Sequence, residues 1–334
     1  MMNRRNQVLS VLLAVQIVLG AVVFWPRWGG SGVEAGPLLE GLRADEVVSL
    51  SVTDSDENRV ALAKESQGWV LPEVDDYPAD GEKVSTLLEK IEGLQANRQV
   101  TRTESSHKRL KVAEDDFERL IELEMADGAA YQLYVGSSPQ ANATHVRAAD
   151  GPETYLTSEL ASYEVDASAG RWIVTLYYTL PQSATVALSL KNANGEFEFE
   201  RGSDEEWLMK GLGEGEEFNQ AGFNTLLGQA SSLRMAEPIG REEEDWFGLD
   251  QAGAVVTLET EEGQAYSLRI GAKDAGERNN YVAKWSESPY YVWLPEYTAS
   301  SFLDKTRNDF IVPPPTPAPA TGSQSPDEST GNGS

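Results

Sequence analysis

Carboxylates are the commonest side chains of this chain that could do chemistry, and two of their clusters have spacings worth testing for cation binding. The sequence holds 54 Asp and Glu residues against 27 Lys and Arg. Asp54-Ser55-Asp56-Glu57-Asn58 begins like a calcium loop but lacks the glycine at the sixth position and the closing glutamate of that motif. Glu242-Glu243-Glu244-Asp245 is typical of a solvated charged run. The spacing therefore predicts no metal site. A carboxylate-dependent hydrolase stays open as an alternative, because spacing does not show which acids meet in space.

The two histidines have no partners at a catalytic spacing. His107 lies in a polar stretch, and His145 lies in a segment that alternates like a strand. The sequence contains no nucleophile elbow, no His-Glu-x-x-His pair and no Walker loop. It also contains no cysteine, which excludes disulfides, thiol catalysis and thiolate metal sites. We therefore predict a protein that is not an enzyme, with no catalytic residue and no cofactor.

Aromatic side chains are the better candidates for recognition. Trp285, Tyr290, Trp293 and Tyr297 crowd the last predicted hairpin and the start of the helix after it. Large aromatic rings often anchor protein interfaces, because they bury much apolar area at a low entropy cost. These four are therefore predicted as partner-contact residues. Core packing is the competing interpretation, since strand alternation buries about half of such a set.

The elements that must position these side chains occur twice. Trp69 returns as Trp207 about 138 residues later, and Asp80, a predicted N-cap, returns as Asn219 before a second helical stripe. Alternating stretches around Asp-Gly and Asn-Gly turns predict antiparallel hairpins in both copies. A repeat of this length is a whole domain. The predicted fold class is α+β, with two tandem copies of a mainly antiparallel sheet and one packed helix.

The two copies do not match at their chemically versatile positions. When the copies are aligned by sequence, His145 is aligned with Tyr281 and Arg147 with Ala283. The residues that match are apolar, capping and turn residues. The repeat therefore predicts a conserved fold and no conserved site.

One apolar run at the N-terminus predicts where in the cell the chain is located. Val8 to Phe24 carries no charge, follows Arg4 and Arg5, and precedes Trp25 and Trp28. Its length as a helix, about 25 Å, suits a transmembrane anchor with a cytoplasmic N-terminus; a cleavable signal peptide is the alternative. The predicted organisation is a cytoplasmic stub and transmembrane anchor (1–28), a flexible tether (29–36), two repeats (37–180 and 181–312) and a disordered Pro/Ser/Gly-rich tail (313–334).

The net charge of −27 limits the classes of partner. Nucleic acids and anionic lipid surfaces are bound by clustered Lys and Arg, so a strongly acidic chain is a poor ligand for either. We predict that the chain binds no nucleic acid and meets the membrane only through its single N-terminal span.

The order of these motifs resembles one family, the domain of unknown function 4340 (DUF4340). The resemblance rests on the N-terminal anchor, on Gly68-Trp69-Val70-Leu71, on Pro78-Ala79-Asp80 before the helix, and on Trp246-Phe247-Gly248-Leu249, which looks like the family's Tyr-Gly-Leu signature. The family resembles membrane-anchored proteins that accompany ABC transporters of the gliding-motility type, which consist of a permease, an ATPase and an auxiliary subunit. The resemblance implies an envelope partner of such a transporter.

The predicted function is a non-enzymatic, membrane-anchored accessory or binding subunit of an envelope ABC-transporter complex. It would act by protein–protein contact on the extracytoplasmic side, with the permease and auxiliary subunits as partners. The alternative is a free-standing cell-surface protein that binds glycan or peptide.

Overall fold

Antiparallel hairpins dominate the structure, a computed structural model that describes residues 36–276 and 279–313. The chain divides into two units. The first ends at Thr175 and also includes residues 237–241, and the second comprises Leu176–Ala236 and the chain from Glu242 onward.

The first unit is built on a nine-stranded sheet with the order β4-β3-β2-β1-β8-β9-β10-β11-β5. Two further short strands, β6 and β7, pair with each other. The eleven strands are β1 (Val47–Asp54), β2 (Arg59–Glu65), β3 (Gly68–Leu71), β4 (Tyr77–Pro78), β5 (Gln99–Thr101), β6 (Val112–Ala113), β7 (Asp116–Phe117), β8 (Arg119–Met125), β9 (Ala130–Val135), β10 (Thr144–Ala148) and β11 (Thr154–Thr157).

Strand alternation places the first core on one face of this sheet. Leu50 and Val52 of β1 pair with Leu123 and Ile121 of β8, and all four are buried. Helix α1 (Gly81–Glu92) covers them with the stripe Val84, Leu87, Leu88 and Ile91. Asp80 caps this helix, because its carboxylate accepts the backbone N–H of Lys83, which confirms the predicted cap. A shorter helix, α2 (Glu104–Leu110), precedes β6.

The second unit repeats this order in the strands β15-β14-β13-β18-β19-β20-β21 of the second large sheet. Its helix α3 (Gln220–Ser231) is capped by Asn219, as predicted, and buries Phe223, Leu226 and Leu227. A final helix, α4 (Glu296–Leu303), follows the last strand. The strands from residue 176 onward are β12 (Leu176–Thr179), β13 (Thr185–Asn192), β14 (Gly195–Arg201), β15 (Trp207–Met209), β16 (Ser232–Arg234), β17 (Glu237–Gly240), β18 (Ala254–Thr260), β19 (Ala265–Lys273), β20 (Tyr281–Trp285) and β21 (Tyr291–Leu294), of which β12 and β16 pair separately and β17 belongs to the first unit.

The predicted α+β class is wrong, because the structure is mainly β. Strands make up 40% of the described residues, and each large sheet carries one helix of 12 residues. Short strands such as β4 and β5 extend the first sheet beyond the predicted hairpins. The physical reason is that a capped amphipathic stripe is a strong local signal, whereas strands of three or four residues depend on neighbours far along the chain.

The predicted transmembrane helix is not part of the observed fold. Among residues 36–276 and 279–313, no helix has the length and apolarity needed to cross a membrane. The predicted span at residues 8–24, the tether up to residue 35 and the tail beyond residue 313 lie outside the described residues.

Candidate partner-binding site

The four predicted contact aromatics lie in three different environments of the second unit. Trp285 and Tyr290 are only 6% and 7% exposed. Trp285 faces helix α3 and stacks on Tyr178, with ring centroids 3.8 Å apart and planes within 9°. Trp293 lies on the opposite face of the sheet and is half-buried, and Tyr297 projects from α4 with 76% of its surface exposed. Their role in partner contact stays a prediction, and its accessible part rests on Trp293 and Tyr297.

The structure adds a fifth aromatic, Trp246, which lies against Trp293. The two ring centroids are 5.8 Å apart, and Trp246 also meets Phe247 edge to face at 4.7 Å. The indole N–H of Trp246 donates to Glu244 at 2.7 Å. Although these contacts orient the ring, Trp246 remains 48% exposed. It is therefore a large aromatic surface held in one orientation at the outside of the unit, which is the form that interface anchors take.

Trp246 belongs to a segment that closes over one face of the second sheet, residues 242–249, here named the second cover segment. Phe247 is fully buried and packs on Tyr291, at 5.1 Å between centroids. The segment passes so close to Gly271 that a Cβ on this glycine would lie 2.1 Å from the carbonyl oxygen of Phe247. It then turns through Gly248, whose φ is +64°. The close approach explains why glycine is required at position 271.

A hydrogen-bonded cluster holds the second cover segment against the sheet. The Tyr291 hydroxyl donates to Glu243 at 2.9 Å, and the ammonium of Lys284 lies 4.6 Å from the Tyr291 ring centroid. Lys284 also donates to the Ser288 carbonyl. Burial lowers the pKa of the Lys284 ammonium, and burial with the bond to Glu243 raises the pKa of Tyr291 to about 12. At neutral pH Tyr291 is therefore a hydrogen-bond donor.

The first unit has an equivalent segment, residues 105–112, here named the first cover segment. It closes over Gly136, where a Cβ would lie 2.2 Å from the Leu110 carbonyl oxygen. Lys111 adopts the left-handed conformation, with φ of +60°, at the place of Gly248. The chemistry is reversed, because Arg109 stands where the second segment has Trp246, and Lys108 stands where it has Asp245. The two segments therefore share the close approach to a glycine and the left-handed turn that follows it; they differ in charge and in their first half, which is α-helical in the first segment alone.

The strand registers correct the sequence alignment of the two copies. Val146 and Arg147 pair with Val135 and Tyr134, whereas Ala283 and Lys284 pair with Ile270 and Arg269. Since Gly136 and Gly271 follow Val135 and Ile270 in the two copies, Arg147 is equivalent to Lys284 and His145 to Val282. The predicted pairs of His145 with Tyr281 and of Arg147 with Ala283 are wrong by one residue.

The corrected register shows that a basic side chain is kept in both copies. Arg147 is buried and donates to the carbonyls of Val112, at 2.7 Å, and Gly151, at 3.2 Å. Its guanidinium lies 4.5 Å from the Tyr134 ring centroid. Lys284 likewise lies over a tyrosine and donates to a turn carbonyl, that of Ser288. Both cations hold the strand hairpin in place, so we interpret them as structural.

The two histidines are buried in the first unit. His107 bonds the Pro152 carbonyl at 2.8 Å, and Nδ1 of His145 bonds the Ser137 carbonyl at 2.7 Å. Asp54 accepts the backbone N–H groups of Asp56 and Asn58, as in a tight hairpin turn. Within the described ranges, no three His, Asp or Glu residues are grouped in a way that could hold a metal ion.

The first unit has open grooves, two of which are lined by several charged or polar side chains. One, of about 330 Å³, runs along α1, where the ammonium of Lys90 pairs with Glu164 and Lys83 donates to the Ile173 carbonyl at 2.7 Å. The other, of about 670 Å³, lies over the polar side chains of the sheet, where Glu122 accepts from Ser51 and Gln132. The polar side chains named here already have protein partners, so neither groove offers as accessible an anchor as Trp246.

Sequence reasoning missed Trp246 as a contact residue, because the residues 242–249 were interpreted as a charged run beside a family signature. One signal was present in the sequence. A tryptophan directly after four carboxylates cannot be buried without carrying charge into the interior, so an exposed ring was the simpler interpretation.

Comparisons with known proteins give one match. The family model described as Domain of unknown function (DUF4340) matches residues 69–245. The matched region begins in β3 of the first unit and ends one residue before Trp246. No curated protein and no solved structure matches the chain.

Proposed function

The chain belongs to the DUF4340 family, a domain of unknown function, and we propose its function from the surface around Trp246. We propose that it is a non-enzymatic accessory or binding subunit of an envelope ABC-transporter complex, anchored at the cell membrane and acting by protein–protein contact on the extracytoplasmic side. The transporter assignment rests on the family resemblance, and the mode of action rests on the structure.

The observation that carries the proposal is the pair of Trp246 and Trp293. An exposed indole costs free energy in water, and here it is fixed by Phe247, Trp293 and Glu244 rather than free to fold back. A partner that covers such a ring gains apolar burial without first having to order it, which is why rigid aromatics dominate binding energy at interfaces.

The experiment is purification of the full-length chain from membranes in a mild detergent, followed by identification of the proteins that accompany it. We expect a permease and an ATPase to be recovered with the wild-type chain, and less of both with Trp246→Ala. The control is Tyr163→Ala, which removes an even more exposed aromatic, 74% accessible, from the first unit. Recovery of neither transporter subunit under any mild condition would refute the transporter assignment.

A second candidate is a free-standing surface protein that binds glycan. The specific observation in its favour is the exposed Trp246 ring with carboxylates close by in the chain, because Glu244 contacts the ring and the exposed Glu242 and Asp245 supply further hydrogen-bond acceptors for sugar hydroxyls. Sedimentation of the chain with purified cell-wall polymer tests this candidate. Binding that is lost in Trp246→Ala, with no transporter subunit recovered from membranes, would favour it over the accessory role.

A further inference from the structure

We propose that the second cover segment receives a basic segment of the partner protein, with an arginine guanidinium lying on the exposed part of the Trp246 indole. The carboxylates of Glu242 and Asp245 accept hydrogen bonds from that cation. This inference rests on the proposed function, since it names the chemistry of the partner that the Trp246 surface fits.

The first argument is the polarity of the exposed indole. Its single donor, the ring N–H, is already bonded to Glu244. The ring therefore offers a ligand no free hydrogen-bond donor, only its carbon surface. The face of a tryptophan carries negative electrostatic potential and attracts cations more strongly than the ring of tyrosine or phenylalanine does. Arginine suits this surface because its planar guanidinium stacks on a ring and still donates at its edge.

The second argument is the distribution of carboxylates beside the ring. Of the four acids, Glu243 is bonded to Tyr291 and Glu244 to the Trp246 indole. Glu242 and Asp245 are exposed and have no hydrogen bond or ion pair within the described part of the chain. Lys284, a cation of the hairpin beneath, donates to a backbone carbonyl and faces the Tyr291 ring. Two exposed carboxylates without a protein partner in the described structure therefore lie within four residues of the exposed indole along the chain.

The first cover segment closes over its glycine and turns in the same way, but it carries the opposite charge. Arg109 occupies the position of Trp246, and Lys108 occupies that of Asp245. Whatever the shared backbone contributes to binding, a basic ligand should therefore choose the second segment. The net charge of −27 also draws basic segments toward this chain and keeps two copies of it apart.

The test uses the full-length chain in detergent and a fluorescent peptide of alternating glycine and arginine. The same peptide with citrulline at each arginine position keeps the shape and removes the charge. We expect the arginine peptide to bind, and the citrulline peptide to bind at least tenfold more weakly. Trp246→Ala should weaken the arginine peptide roughly three- to thirtyfold, and Trp246→Phe should weaken it less. Tyr163→Ala should leave its affinity unchanged.

Two double variants with the same loss of charge distinguish binding beside Trp246 from general attraction to an acidic protein. Glu242→Gln with Asp245→Asn removes two carboxylates beside Trp246. Glu214→Gln with Glu262→Gln removes two exposed carboxylates elsewhere, one beside the edge strand β15 and one in the turn between β18 and β19. We expect the first pair to weaken binding severalfold more than the second. Unfolding curves of all variants check that each one folds.

Four results would overturn the inference: equal binding of the arginine and citrulline peptides, unchanged affinity in Trp246→Ala, equal losses in the two charge-matched pairs, or a Trp246-dependent dimer that Arg109→Glu abolishes. The last would make a second copy the occupant. Different results would refute the proposed function and this inference. If membranes yield no transporter subunit while the peptide still binds through Trp246, only the transporter assignment falls. If the subunits are recovered equally with Trp246→Ala, only this inference falls.

Discussion

Arg147 and Lys284 show how one position in a duplicated sheet can keep its charge while its surroundings change. Arg147 is buried and satisfied by two backbone carbonyls and the ring of Tyr134. Lys284 is half-buried, and its ammonium has the Ser288 carbonyl and the ring of Tyr291 as partners. A guanidinium tolerates burial better, because it is more weakly hydrated and has more donors to distribute than an ammonium has.

The first prediction concerns this pair. Arg147→Met should lower the free energy of unfolding by about 2–4 kcal/mol, because the buried carbonyl of Val112 and the part-buried carbonyl of Gly151 lose a charged donor. Lys284→Met should cost about 1 kcal/mol or less, since its partner carbonyl lies nearer to solvent. Urea unfolding followed by circular dichroism measures both values. Equal losses of unfolding free energy in Arg147→Met and Lys284→Met would contradict the conclusion that Arg147 is more deeply buried than Lys284.

The second prediction is a pH dependence at Tyr291. Burial and the bond to Glu243 raise the pKa of Tyr291 to about 12 in the folded chain, from an ordinary value of 10.0. A raised pKa means that the folded state favours the protonated phenol. The contribution of protonated Tyr291 to the stability of the fold is therefore complete below pH 10 and is lost as the pH rises through 12.

Tyr291→Phe removes the titrating group. We expect it to be less stable than the wild-type chain at pH 8, by about 1 kcal/mol for one hydrogen bond. The difference should shrink or reverse between pH 10 and 12. Unfolding of both proteins at intervals of half a pH unit checks this, and a difference that stays constant across the range would refute the role of the hydroxyl.

At the scale of elements, the two cover segments depend on glycines that let a chain pass directly over a strand. A Cβ at position 271 would lie 2.1 Å from the Phe247 carbonyl oxygen, which is far inside contact distance. The whole segment would have to move away from the sheet. Phe247 and Trp246 would move with it, because both belong to that segment.

The third prediction follows from this packing. Gly271→Ala should destabilise the chain by about 1–3 kcal/mol and weaken binding at Trp246, because overpacking forces backbone shifts. The control is Gly228→Ala in α3, where the nearest atom to the new Cβ is 3.9 Å away. That change should stabilise the chain by about 0.5–1 kcal/mol, because glycine is a poor helix former. A neutral Gly271→Ala would show that the segment is loosely held.

Much of this element structure was predictable from the sequence. Asp80 and Asn219 mark helix starts because a polar cap before an apolar stripe is a local signal, and both caps are confirmed. The relation between Arg147 and Lys284 was not predictable, because an alignment by residue type has no information about strand register, and a shift of one residue moves a side chain to the other face. Trp246 was missed for a related reason, since its neighbours Trp293 and Phe247 meet it only after the sheet forms.

At the scale of the whole molecule, the excess of acids determines how a partner approaches. With a net charge of −27, the chain attracts basic surfaces over distances set by the ionic strength and repels further copies of itself. Contacts such as those of Trp246 act only at short range. Long-range charge therefore sets how fast a partner arrives, and short-range contacts set how long it stays bound.

The fourth prediction separates them by kinetics. Raising the salt concentration from 50 to 500 mM should slow association of the arginine peptide by about tenfold or more, while its dissociation rate changes little. Trp246→Ala should do the reverse, with faster dissociation and nearly unchanged association. Stopped-flow measurements give both rates. An effect of Trp246→Ala confined to the association rate would contradict the retention role of the indole.

The turn over a glycine that the two cover segments share has a consequence for how such a chain can acquire new specificity. Each segment passes over a glycine and turns through a left-handed residue, Lys111 or Gly248, while the sheet beneath keeps its strand order. A duplicated domain of this kind can exchange what it recognises by rewriting one short surface stretch, with no change to its core. In this chain the two units keep the same close approach and left-handed turn beneath opposite charges, so they present different surfaces on the same support.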